Sequence, residues 1–309
     1  MANELIGPDA TLLSSAASDE GASAKQWRRL LWFPLALSAS LLILPQLTFV
    51  TMSFHRDIGM GQVSVDFTIA NYTQILTDVF YLRAIWETTY LSACATFCAV
   101  ILAFPTAYWL ASIEGPLATL LLTLILASSL ITVPIKLMGL DIILGPSGIV
   151  NRAFEALSII SSPVPLLNND IGVLIGLIQY TLPILVLMLF AVVQTIPRYL
   201  EEAARIHGAS NAAAFFQVIV PMAKQGILGA CVLSFNMCMG AFTSPLILGG
   251  GRVLTLPVLI QQKIIDDSDY GLGAALSTVL VCFVLLMNVA VGAYVMREGR
   301  RRAKRPARG

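Results

Sequence analysis

Residues that could do chemistry are few in this 309-residue chain, and their spacing points away from catalysis. The two histidines, His55 and His207, have no neighbouring ligands at metal-site spacing. The five cysteines, Cys94, Cys98, Cys231, Cys238 and Cys282, all fall inside apolar runs. Cys94 and Cys98 share a helical face, but no His or acid accompanies them, so they read as small buried hydrophobes. No G-x-x-x-x-G-K-[ST] loop is present to cradle ATP phosphates, and neither a G-x-S-x-G elbow nor an H-E-x-x-H pair occurs. No metal site and no catalytic residue is expected.

One polar segment is different. From Arg198 to Pro221 the chain is rich in alanine and carries Glu201, Glu202, Arg205 and a central Gly208. Pro197 suits a first helical turn, and Glu201 and Glu202 complement the positive end of a helix dipole. Gly208 can take a positive φ and stop that helix. Ser210 can cap a second one running toward Pro221. The spacing predicts a short helix–turn–helix whose alanines permit close approach to another surface.

The elements that position this segment are apolar. Hydrophobic residues make up 57% of the chain and charged ones 12%, with a mean hydropathy of +0.81. Soluble domains carry about 25% charge, so disorder, a coiled coil and an ordinary water-soluble enzyme are excluded. Six stretches have the roughly 20 apolar residues that a bilayer crossing needs: Leu30–Phe54, Ala84–Trp109, Leu117–Ile135, Ile171–Gln194, Gln225–Leu248 and Gly273–Met296. Strand alternation is absent, which leaves helices. The expected fold class is all-α: a polytopic membrane protein with six transmembrane helices.

Lysine and arginine placement sets an expected orientation. With both termini in the cytoplasm, thirteen lysines and arginines lie inside and six outside. Seven of the inside ones fall in the last 13 residues, directly after an apolar helix, which fits a cytoplasmic membrane anchor better than a nucleic-acid site. The expected organisation is a polar cytoplasmic tail over 1–29, a transmembrane domain over 30–296 with an inner loop at about 195–224, and a basic cytoplasmic tail over 297–309. The first apolar run is too long for the core of a signal peptide and reads as an uncleaved span.

With this placement the loop resembles the EAA motif of ABC importer permeases, E-A-A-x3-G-x9-I-x-L-P. Glu202, Ala203, Ala204, Gly208 and Pro221 fall on the motif positions, while Val218 and Val220 replace its Ile and Leu and keep the apolar character. Further stretches, Tyr81-Leu-Arg-Ala84, Leu144-Gly-Pro-Ser-Gly-Ile-Val-Asn151 and Gly240 to Gly251, resemble the spermidine/putrescine-type branch. The resemblance covers about residues 30–296. It implies the type I ABC importer permease fold, N-in and C-in, in a bacterial inner membrane.

The resemblance also implies partners. Two separate ATPase subunits, which use ATP and Mg, would dock on the loop, with Glu201 and Arg205 beside the motif residues. A homologous but different second permease would complete the path, and a periplasmic or extracellular solute-binding protein would deliver the solute. Lipid surrounds the chain, no nucleic acid is involved, and the chain binds no cofactor of its own. The expected solute is a polyamine or similar small cation. Relatives of the same class handle 2-aminoethylphosphonate, other amines or opine-like solutes, or iron(III). A secondary transporter or channel is the reading from another class, and it would move solute without an ATPase.

Candidates for the solute path come from the few polar residues in and near the spans. Glu87 follows Arg83 by four residues, which suits a helix-surface pair. Alternatively it faces the path and attracts a cation, at a position where the resembling family more often has an amide. Asn236 either hydrogen-bonds a neighbouring helix or lines the path. Phe242, Thr243 and Ser244 precede Pro245 near a candidate outer gate.

Overall fold

Where no water is available, every backbone amide must find a partner inside its own segment, and the apolar runs of this chain do so as helices. The computed structural model describes residues 31–59, 62–160 and 162–303. The tail 1–29 and the final residues 304–309 lie outside the described residues, whereas 297–303 continue the last helix. Two units are distinguished, Met1–Met52 and Ser53–Gly309.

The described part of the first unit is one helix, α1 (Leu31–Met52). Its hydroxyls are satisfied locally: Ser40 donates to the Leu37 carbonyl, Thr48 to Leu44 and Thr51 to Thr48. A hydroxyl that bonds its own helix can sit in hydrocarbon without an outside partner.

The second unit begins with a hairpin, β1 (His55–Gly59) and β2 (Gln62–Phe67), followed by α2 (Ala70–Thr77) and α3 (Val79–Ser112). Then come α4 (Pro116–Leu130), α5 (Val133–Leu144), α6 (Ile149–Ala156) and α7 (Asp170–Gln194). The loop helices are α8 (Arg198–Ile206) and α9 (Asn211–Ala214), and α9 runs through a π-helical turn into α10 (Val220–Met239). The chain ends with α11 (Thr243–Leu248), α12 (Leu256–Gln261) and α13 (Tyr270–Ala303). Among the described residues, six helical stretches are long and apolar enough to cross a membrane.

The core is organised by α3 against α7, the most extensive interface among the described helices. Ala95, Ala99, Ala103 and Ala107 recur every four residues on α3 and are all fully buried. This stripe of small side chains lets the backbones approach closely, as helices in lipid require. Leu185, Leu189 and Val193 of α7 and Ile219, Ala223 and Ala230 fill the remaining space. A second core, with Ile75, Tyr81, Leu256, Leu259, Leu272 and Leu276, ties the start of α3 to α2, α12 and α13.

Several expected boundaries shift. The third span was expected as one helix over Leu117–Ile135. Instead α4 has 15 residues, about 22 Å, and Ile131 and Thr132 are extended before α5. Pro134 sits in the first turn of α5, where its missing amide donor is tolerated, so it marks the start of a new helix and not the interior of one. The stretch long enough to span here is Val133–Ala156, two helices joined by a short turn. The fifth span was expected over Gln225–Leu248. The continuous helix is Asn211–Met239, and the chain breaks at Gly240–Phe242 before the short α11, where Pro245 cannot continue the ladder.

The hairpin was not foreseen at all. The alternation Val63, Val65, Phe67 is its sequence signal, and it pairs His55 with Phe67 and Asp57 with Val63. Buried asparagines secure this end of the bundle. Asn71 Nδ2 donates to the carbonyls of Ser53 (3.0 Å) and His55 (2.9 Å). Asn151 donates to Gly145 and Val164 and accepts from the Val164 amide, closing the turn that carries α6.

Candidate functional site

The segment 195–224 folds as two limbs around Gly208. In the first limb α8 follows Pro197 and ends at His207, whose amide reaches the Ala203 carbonyl at 3.2 Å. Gly208 then takes φ +88°, a conformation that L side chains rarely adopt. Ser210 caps the second limb by accepting from the Ala213 amide at 3.2 Å. The π-helical turn over Phe215–Ile219 lies just before Pro221, whose ring would otherwise crowd the carbonyl four residues earlier. From there the limb is continuous with α10, so a short polar loop is joined without a break to a long apolar helix.

The two glutamates of α8 part company. Glu201 turns toward α3: its Oε1 accepts from the Tyr108 hydroxyl at 2.7 Å and pairs with Arg205. That contact holds the Arg205 guanidinium above its ordinary pKa, through the hydrogen bond and charge of Glu201. Arg198 reaches back to Glu114 and to the Ala111 carbonyl. Glu202, the next position, is exposed and borders the space between α8 and the ends of α3 and α7. With Tyr199, Ala203 and Ile206 it makes one exposed helical face at spacing i, i+3, i+4, i+7. Tyr199 is 65% and Ile206 85% exposed, a large apolar surface for so short a helix.

In the second limb, Phe215 packs on α3 against Phe104 (ring centroids 5.3 Å) and Tyr108 (5.0 Å). Val218 and Val220 are half-buried and Pro221 is exposed. Ala204 is half-buried on the inner side of α8. Sequence reasoning missed the roles of Tyr108, Phe104 and Phe215. An aromatic residue within an apolar helix carries no local signal that its partner lies 93 positions away.

The candidates for the solute path do not converge on one cavity. Glu87 is engaged by Arg83 Nε at 2.8 Å, the helix-surface pair that their spacing allows. Asn236 exchanges hydrogen bonds with Asn288 of α13 and lines an apolar groove of about 350 Å³ with Thr96, Phe97, Phe235 and Met287. Phe242, Thr243 and Ser244 sit at the break after α10. They line a smaller cavity of about 170 Å³ with Tyr180 and Val133, and Ser244 donates to the Val173 carbonyl at 3.2 Å.

A family model described as "Binding-protein-dependent transport system inner membrane component" matches residues 99–298. The chain is 30% identical over 245 residues to the spermidine/putrescine transport system permease protein PotB of Haemophilus influenzae, covering 79% of this chain and 85% of that protein. It is 30% identical over 244 residues to PotB of Escherichia coli, covering 79% and 88%. It is also 29% identical over 221 residues to a probable molybdenum ABC transporter permease protein of Haloferax volcanii, covering 72% and 76%.

Among solved structures, a bacterial ABC transporter involved in the import of the acidic polysaccharide alginate matches with a TM-score of 0.68 at 16% identity, covering 93% of this chain and 99% of that one. The MetNI methionine ABC transporter in an inward-facing conformation matches with a TM-score of 0.52 at 19% identity, covering 70% and 94%. At such identities these likenesses establish the fold. The fold and the family match together place the chain in the inner membrane as a multi-pass protein: it belongs to the binding-protein-dependent transport system inner membrane components and is a permease subunit of an ABC importer.

Proposed function

We propose that the loop 195–224 is the site where separate ATPase subunits drive this permease. The observation that carries the reading is the exposed face of α8, formed by Tyr199, Glu202, Ala203 and Ile206, while the neighbouring Glu201 ties the helix to Tyr108. Two apolar side chains around an alanine and a carboxylate suit a groove with an apolar floor and a basic rim. Burying Tyr199 and Ile206 would supply the attraction, and Glu202 would fix the register. ATP and Mg are bound by the partner, and the motion enters through this loop. Cross-linking from Glu202→Cys tests it: the adduct should contain the ATPase subunit, and adducts only to other proteins would defeat the reading.

The complete importer on this reading has two ATPase subunits, a second, homologous permease and an external solute-binding protein. Both termini lie in the cytoplasm, as the excess of lysine and arginine on that side favours. The proposed solute is a polyamine or a similar small cation, supported by the likeness to the spermidine/putrescine permeases over four fifths of the chain. Uptake of radiolabelled spermidine and putrescine by cells expressing the full system is the measurement. Saturable uptake that disappears with the permease supports the assignment. Uptake of neither, with the complex intact, removes it and leaves the importer class standing.

A further inference from the structure

Between α8 and the ends of α3 and α7 lies a cavity of about 490 Å³, whose walls include Tyr108, Gln194, Arg198, Glu201, Glu202 and Arg205. Empty or water-filled space transmits little force, so a displacement of α8 reaches α3 through the side chains that bridge the gap. Two bridges exist among the residues described above. Arg198 reaches Glu114 and the last turn of α3, but both charged ends are exposed to solvent, where an ion pair resists little. The other is Tyr108. Its hydroxyl donates to Glu201 at 2.7 Å in the first limb, and its ring meets Phe215 at 5.0 Å in the second. Glu201 in this contact is half-buried and charged, the combination in which a hydrogen bond is strongest.

We propose that Tyr108 is the positioning residue through which movement of the loop enters the membrane helices: both limbs around Gly208 grip the same side chain of α3. From Tyr108 the path is packed. The fully buried alanines Ala107, Ala103, Ala99 and Ala95 continue along α3 against α7, so a shift at one end is not absorbed by loose side chains. The hydroxyl carries the first limb and the ring the second, and the two can be separated by substitution. This inference rests on the reading that the loop receives the ATPase, and its test keeps the two apart.

The test uses the complete importer, purified with its ATPase subunits, with the native cysteines replaced and spin labels at Leu102→Cys on α3 and Leu286→Cys on α13, both exposed positions. The distance between the labels is compared in the nucleotide-free and vanadate-trapped states. The expected result is a nucleotide-dependent shift in the parent complex that falls to less than about half in Tyr108→Phe and in Glu201→Ala, with the nucleotide-free distance unchanged. Glu201→Gln, whose amide oxygen still accepts from the tyrosine, should restore the shift. ATPase subunits should co-purify with Tyr108→Phe as with the parent. A full shift in Tyr108→Phe, no shift in the parent, or loss of the ATPase from Tyr108→Phe alone each overturns the proposal. An ATPase that never accompanies the parent chain overturns the docking reading instead.

Discussion

Asn236 and Asn288 face each other across α10 and α13 and exchange both amide hydrogen bonds, Nδ2 to Oδ1 at 3.0 and 3.1 Å. Asn288 also donates to the Val284 carbonyl at 2.7 Å. Each side chain therefore satisfies the other within an apolar groove. Of the two roles open to Asn236 from its position alone, the structure displays the interhelical bond.

The pair makes an unequal prediction. Asn236→Leu strands the Asn288 amide, and an interhelical hydrogen bond in a membrane contributes about 0.6–2 kcal/mol. The single variant is expected to lose stability of about that size, and Asn236→Leu with Asn288→Leu should recover part of it by removing the stranded group. Thermal unfolding of the purified complex in mild detergent reads both. A double variant less stable than the sum of the singles would contradict the account.

Gly208 makes a backbone prediction. At φ +88° it has nothing within 4 Å of where a Cβ would stand, so a side chain is resisted by the backbone and not by neighbours. A β-branched residue is worst in this region, and asparagine is better tolerated. Gly208→Val is expected to weaken ATPase attachment or stimulation while leaving membrane insertion intact. Gly208→Asn should be milder. Co-purification and ATPase assays read the order Gly, Asn, Val, and normal transport by Gly208→Val would argue against the turn.

Glu87 tests charge without stability. Its ion pair with Arg83 is i, i+4, with the arginine side chain 77% and the glutamate 19% exposed, and Glu87→Gln keeps the side-chain shape while removing only the charge. Any change in uptake then reports the charge itself. If Glu87 draws a cation into the path, Glu87→Gln should lower the uptake rate of spermidine roughly two- to fivefold, and Arg83→Gln should raise it. Initial rates at matched expression decide, and equal rates for all three proteins would take Glu87 out of the path.

The legibility of the sequence follows the range of the physics. Helical membrane segments and the turn at Gly208 are local, set by apolar length, a positive φ and a capping serine, and these could be read directly. The alanine spacing from Ala95 to Ala107 stands in the sequence but was not singled out, because it has no meaning until α7 is laid against it. Pro134 and Pro245 each lie in the first turn of a short helix that follows a break, and the place of the break shows only in the structure. The division of labour between Glu201 and Glu202 was hidden because adjacent helix positions differ by about 100° in direction, and only the location of Tyr108 shows which one is inside.

Gly226 shows how tightly α10 is seated on α7, and it supports a rescue experiment. A Cβ there would overlap both Cγ atoms of Val192, closer than real side chains approach. Val192 is β-branched, so it has few rotamers to retreat into. Gly226→Ala must therefore push α10 away from α7, at a cost of about 1–3 kcal/mol for an overpacked site. Val192→Ala removes the obstructing atoms and opens space on its own. The two changes should be destabilising singly and nearly neutral together, because one fills what the other empties. Unfolding midpoints of the four complexes form the cycle that measures this coupling. Additive losses would mean that the helices part there for a reason other than the Val192 side chain.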